Sequence, residues 1–173
     1  MSNSTGITAE ITLVRPADVS AIVLLARVIW QHAYAGMITQ MQIDYMLAQR
    51  YNAPHLLTEL SQPGLWWDQA FVTGERVGFS SCYLTDTPGE IKLDKVYVHP
   101  DWQRAGVGGA LIERVVGRGR AACCDTLVLA VNKQNVRAIA AYERKGFSVR
   151  ESVCVNIGGG FVMDDFIMSR SIA

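Results

Sequence analysis

The residues best suited to chemistry lie in one segment, His99-Pro100-Asp101-Trp102-Gln103-Arg104-Ala105-Gly106-Val107-Gly108-Gly109. A strand ends at His99-Pro100, and a turn holding Gln103, Arg104, Gly106 and Gly108 opens a helix. Glycines there let the main chain approach an anion closely. The free N–H groups of the helix N-terminus point at that anion with the positive end of the macrodipole, and Arg104 adds one fixed charge. The chemistry this spacing predicts is the binding of a phosphate or pyrophosphate. A generic Gly-rich turn would account for Gly106 and Gly108 alone. A dinucleotide fingerprint needs Gly or Ala where Leu111 stands and follows the first strand, whereas this turn follows the fourth; a GxxxxGK[ST] string is absent.

The strand before the turn is irregular. Apolar residues fall at Ile91 and Leu93, then at Val96 and Val98, so the period of two slips by one residue near Asp94-Lys95. Such a slip is what a β-bulge produces, and a bulge bends a strand away from its neighbour. The alternative is a regular strand with a partly buried Lys95 stem. His32, His55 and His99 show no HxH or HExxH spacing, so no metal site is expected. Cys82, Cys123, Cys124 and Cys154 form no CxxC and read as reduced, mostly buried small apolar residues of a cytoplasmic protein.

The elements that must position the turn follow from periodicity. Ile11–Val14 reads as a strand, Val19–Ala35 as a helix, and 41–60 as a second helical stretch broken around Pro54. Strands are expected at Ala70–Thr73, Val77–Leu84 and Glu90–Val98, a helix at 106–121, a strand at 126–131 and a helix at 135–145 ending at Gly146. Strands at 147–155 and 161–168 flank Gly158-Gly159-Gly160. The order is β-α-α-β-β-β-α-β-α-β-β, a mixed α/β sheet. With 173 residues, half of them hydrophobic and 18% charged, the chain has room for one domain, 1–173, with 1–9 as a flexible tail. Sixteen basic and sixteen acidic residues balance to zero net charge, which argues against nucleic acid as partner. The most apolar stretch, Ala21–Trp30, is too short to span a bilayer, and the polar N-terminus is unlike a signal peptide, so no membrane partner is expected.

Gln103-Arg-Ala-Gly-Val-Gly108 resembles the [RQ]-x-x-G-x-[GA] motif of the GCN5-related N-acetyltransferase (GNAT) superfamily. Val131-Asn-Lys-Gln-Asn-Val-Arg-Ala-Ile-Ala-Ala-Tyr-Glu-Arg-Lys-Gly-Phe147 is similar to its later motif, with Asn135, Tyr142 and Gly146-Phe147 in place. The element order is similar from end to end. The resemblance implies a GNAT-like fold with splayed central strands and an acetyl-CoA-dependent transferase in which an amine attacks the thioester directly, in a ternary complex. It places the CoA pyrophosphate on the main chain of Gln103, Arg104, Ala105, Gly106, Val107, Gly108 and Gly109. The pantetheine arm would pair with Val96, Tyr97 and Val98, and the backbone N–H of Val98 would serve as oxyanion donor. Asn135 would contact the cofactor, and Tyr142 would lie near the sulfur as general acid; its bland reading is a packing tyrosine stacked on Ala138 and Ile139.

The base and the acceptor are less marked. Ribosomal-type N-terminal acetyltransferases often carry a Glu in a Leu-Glu-Val strand, where this chain has Leu129-Ala130-Val131. Glu90 or Asp94 is the candidate base, with the Asp164-Asp165 pair also open. Trp30 and Tyr34 offer aromatic surface and Asp164 negative charge for a cationic amine. Trp30…Tyr34 together with Gly158-Gly-Gly-Phe-Val-Met-Asp-Asp165 is similar to the group that includes the bacterial polyamine acetyltransferase PaiA. The expected acceptor is a polyamine or other small amine. A peptide amine, a non-catalytic CoA-binding regulatory module and a Rossmann-type nucleotide binder stay open, as does a homodimer through exposed C-terminal strand edges.

Overall fold

The computed structural model describes residues 7–173, and of the expected N-terminal tail residues 1–6 lie outside that range. Within it Ala9 packs against the core. The elements run β1 Glu10–Leu13, α1 Val19–Ala33, α2 Gln40–Arg50, α3 Ala53–Leu60, β2 Leu65–Val72, β3 Glu75–Leu84, β4 Glu90–Val98, α4 Val107–Ala121, β5 Thr126–Asn132, α5 Val136–Arg144, β6 Ser148–Gly158 and β7 Phe161–Ser171. The mixed α/β order expected from periodicity holds, with two differences. The break near Pro54 is complete, giving two helices: the Asn52 side chain accepts from the His55 N–H at 2.9 Å and Pro54 sits in the first turn of α3. Strand β2 begins at Leu65 rather than Ala70, because Trp66 and Trp67 join it and Trp67 is buried.

All seven strands form one sheet in the order β1-β2-β3-β4-β5-β7-β6. Every neighbouring pair is antiparallel except β4 and β5, which run parallel. One face is covered by α1–α3, whose Ile22, Ile29, Trp30, Ile43 and Leu56 pack against Trp67 and Phe79. The other carries α4 and α5, with Ile112, Val115 and Val116 against Ile91, Leu93 and Leu127. Each fully buried aliphatic side chain contributes roughly 1.5–3 kcal/mol, so these stripes are what hold the helices to the sheet. Gly146, at φ +86°, closes the chain path after α5 in the left-handed region, as its position suggested.

The sheet is split at its centre. Pairing of β4 with β5 runs from Glu90↔Thr126 to Leu93↔Leu129 and stops, although both strands continue. Beyond that point β4 stays with β3 up to Gly78↔Val98, and β5 stays with β7 up to Asn132↔Asp165. The cause is Asp94. Ser81 opposes Lys95 and Cys82 opposes Leu93, which leaves Asp94 as the extra residue of a bulge. The slip in the apolar pattern marked this position, and the regular-strand alternative falls. Lys95 is buried whole, its ammonium 3.6 Å from Glu59 of α3 and 4.9 Å from the Trp67 ring centre.

Candidate active site

The turn before α4 has the shape its glycines suggested. Gly106 is the N-cap at φ +84°, ψ −2°, and Arg104 also lies in the left-handed region at φ +64°. Left-handed residues on either side of Ala105 turn the chain sharply just ahead of the helix. The first α4 hydrogen bond is Ala110 N–H to Gly106 O at 3.0 Å, so the N–H groups of Val107, Gly108 and Gly109 have no intrahelical partner. A Cβ on Gly106 would meet nothing within 4 Å. The space before the turn is open, and its donors fit a pyrophosphate. Val107 turns its own side chain into the core, and Ala105 packs beside it, so both can offer only main chain.

From the turn a groove of about 700 Å³ runs down the split between β4 and β5. Val96, Val98, Gln103, Ala130, Asn135 and Tyr142 are among its walls. His99 N–H donates to Val77 O at 2.7 Å, toward β3; strand alternation therefore turns the Val98 N–H to the opposite edge, into the split. Tyr97 turns its side chain to the α1–α3 face, its hydroxyl 3.0 Å from that of Tyr34, and both residues line the groove. Asn135 caps α5, its side-chain oxygen accepting from Ala138 N–H at 3.2 Å, which leaves its amide N–H₂ for the groove. Tyr142 packs edge-on against Phe147 and has no hydrogen-bond partner for its hydroxyl among the described residues. Burial pushes that hydroxyl well above the usual tyrosine value, so it stays protonated.

Several expected site residues stand elsewhere. Trp30 is 2% exposed and packs on Tyr34, Tyr51 and Tyr97, a core residue and not a pocket wall. Tyr34 does line the groove, beside Tyr97. Glu90 is not brought to the groove: it starts β4, bound to Arg150 at 2.7 Å and to the Thr85 hydroxyl at 3.0 Å. Asp164 is exposed and paired with Lys133, whose ammonium covers Phe166 on the α5 side of the sheet. Its neighbour Asp165 points to the opposite face.

Asp94 reaches the groove, but its carboxylate is committed to Arg50 of α2, at 2.9 and 3.1 Å, and to Lys95. Burial alone would raise its pKa; Lys95 and Arg50 outweigh burial and hold it at about 2. A carboxylate so held is a poor proton acceptor and a good clamp for the bulge. Because its folded-state pKa is depressed, the stabilisation is present above the ordinary value of 3.8 and is lost as pH falls toward 2. Urea unfolding should show wild-type stability falling more steeply than that of Asp94→Asn between those two values. Parallel curves would exclude the clamp.

The structure adds cations that the sequence reading missed. An ideal Cβ on Gly109 would lie 2.9 Å from Lys145 Nζ, so this ammonium sits against the first turn of α4. Arg137 and Arg144 line the groove from α5. The one signal available was their spacing of about two helical turns, which puts both on one face; the approach of Lys145 to Gly109 is a tertiary contact with no local trace. Among the described residues no group of three or more His, Cys, Asp or Glu is placed to hold a metal, and no helix is long and apolar enough to cross a membrane. All four cysteines are free; Cys82 and Cys124 are buried, whereas Cys123 and Cys154 are exposed, against the expectation that most would be buried.

Comparison with known proteins agrees with this geometry. The spermidine N(1)-acetyltransferase of Thermoplasma acidophilum is 24% identical over 162 residues, covering 90% of this chain and 95% of its own. The crystal structure of PaiA N-acetyltransferase from the same organism, in complex with coenzyme A, superposes with a TM-score of 0.81 at 22% identity, covering 95% of this chain and 99% of its own. The ribosomal protein bS18-alanine N-acetyltransferase of Escherichia coli is 41% identical over 59 residues, 34% of this chain and 40% of its own. The family model of the acetyltransferase (GNAT) family matches residues 30–147. With the split sheet, the glycine turn with its free N–H groups and that match in agreement, this chain belongs to the acetyltransferase (GNAT) family.

Proposed function

We propose that the chain, acting as one catalytic domain, transfers an acetyl group from acetyl-CoA to a primary amine that carries further positive charge, a polyamine or similar small amine. The observation that carries this reading is the split between β4 and β5. It brings Val98, Tyr142 and the residues that lead into α4, Gln103 and Arg104, to the walls of one groove. Bound there, acetyl-CoA would supply an activated acetyl thioester. The N–H groups from Val107 to Gly109, with Arg104 and Lys145, hold the pyrophosphate. The Val98 N–H donates to the carbonyl oxygen as charge grows on it. The acceptor nitrogen attacks in its neutral form, and its lost proton passes to water or to a group outside Glu90 and Asp94, which are both committed elsewhere.

Tyr142 acts on the departing sulfur. A thiol titrates near 8.5 and this hydroxyl well above the ordinary tyrosine range, so it works as a hydrogen-bond donor that steadies the sulfur's charge rather than as a free acid. A peptide amine is the second reading, favoured by the local identity to the ribosomal enzyme. Against it, Ala130 puts a methyl group on the groove wall where a base would serve. Thermal shift tests the cofactor half. Ligand at about 100 times its Kd stabilises by about 2.7 kcal/mol, which for this size moves Tm by roughly 5–10 °C. The reading expects that shift with acetyl-CoA and with CoA. A shift with NAD and none with CoA would sink it.

A further inference from the structure

The proposed acceptor reading leaves one charged group unexplained, and the following rests on that reading. Asp165 pairs across the sheet with Asn132 of β5 and Val153 of β6. Register is regular from Met163 to Asp165, and the Met163 sulfur meets Gln42 of α2 at 3.4 Å. Period-two alternation therefore puts the Asp165 side chain on the α1–α2 face of the sheet, the side on which Tyr34 and Tyr97 stand. Its Oδ1 is buried without a hydrogen-bond partner, and among the described residues no Lys, Arg or His forms an ion pair with it. Asp164, one residue away and on the other face, has Lys133; Asp94 has Arg50 and Lys95. Asp165 alone of the three faces the acceptor side with an oxygen left over.

A buried carboxylate oxygen with no donor destabilises the fold unless a ligand satisfies it. Burial and Asp164 raise the Asp165 pKa, against Lys92 and Lys133, as expected of a carboxylate short of donors. Burial first, and the Asp165 charge after it, raise the Tyr34 pKa, in keeping with the placement of both side chains on the α1–α2 face of the sheet. Distance assigns the role. Asp165 lies on β7, two strands from β4, and strands are spaced about 4.8 Å apart, so it stands about 10 Å or more from the Val98 N–H side of the split. That is too far for the nitrogen under attack.

We infer that Asp165 holds the second, non-reacting ammonium of an α,ω-diamine or polyamine and thereby selects such acceptors over monoamines of equal length. The contact is a charge-assisted hydrogen bond from ammonium to carboxylate, flanked by the Tyr34 and Tyr97 rings.

Binding tests this without turnover. Titration calorimetry on the CoA-saturated full chain would compare 1,4-diaminobutane with n-butylamine. Wild type should prefer the diamine; Asp165→Asn should lose at least tenfold in diamine affinity and leave n-butylamine within twofold. Asp165→Glu should recover part of the preference. CoA binding, measured alongside, checks that each variant is folded. An unchanged diamine preference in Asp165→Asn overturns the assignment, as does a loss on Asp164→Asn in its place. If CoA binds and the diamine preference depends on Asp165 but no amine is acetylated, the transferase reading fails while the anchor stands.

Discussion

Replacing Tyr142 by Phe should lower kcat by about 100-fold or more, the span seen when one preorganised hydrogen-bond donor to a developing charge is removed, with the KM for acetyl-CoA within about twofold. The substitution removes one oxygen and keeps the ring on Phe147. Since that hydroxyl has no partner among the described residues, stability should move by no more than about 0.5 kcal/mol. A structural tyrosine would give the reverse pattern, with lost stability and intact turnover. Burial raises the hydroxyl's pKa, and the donor form is the protonated one, so the sign is fixed: donation persists as pH rises. The wild-type rate should therefore not fall through ionisation of this group anywhere below about pH 10, the ordinary tyrosine value. A basic limb below that value which disappears in Tyr142→Phe would show that the hydroxyl titrates in the ordinary range and refute the donor assignment.

Gly108→Asp should weaken CoA binding by about 100-fold or more without unfolding the protein. Gly108 has ordinary helical geometry, and a Cβ there meets only Val98 Cγ2, at 3.7 Å. An aspartate in the first turn of a helix is itself favourable, by about 0.3–1 kcal/mol. The same carboxylate would face a pyrophosphate. Two unit charges 4 Å apart repel by about 4 kcal/mol at an effective dielectric near 20, and a hundredfold loss needs only about 2.7 kcal/mol. Calorimetry should find CoA affinity reduced at least 100-fold while Tm holds or rises. Equal CoA affinity with a raised Tm would move the phosphates away from this turn. Stability and affinity change in opposite directions here, which no general unfolding can imitate.

Much of this site was legible in the sequence because it is written in local chemistry. The left-handed turn at Gly106 needs glycine, the helix start needs free N–H groups, and the bulge at Asp94 leaves a one-residue slip in the apolar period. Zero net charge argues against nucleic acid, but a count of side chains omits main-chain donors and does not show where cations gather. Arg104, Arg137, Arg144 and Lys145 all border the groove or its turn.

The failures have one physical source, since each depended on which way a side chain points after distant elements meet. Asp164 and Asp165 are adjacent letters, and only the pairing of β7 with β5 and β6 decides which faces the acceptor side. Trp30 reads as pocket or core with equal ease until α1 is laid on the sheet. Glu90 and Asp94 share a strand, but Arg150 and Arg50 reach them from separate elements and fix them in ion pairs.

Whether this groove transfers acetyl groups to polyamines is decided by an amine panel with purified protein and acetyl-CoA. Free CoA thiol is measured together with the mass of each acceptor, across spermidine, spermine, an aminoglycoside and an N-terminal peptide. Thiol release should depend on amine, with one acetylated amine for each thiol freed and the highest kcat/KM on the polyamines. Tight CoA binding with no acetylated product from any amine would contradict the transferase reading, and turnover of the peptide alone would contradict the polyamine acceptor.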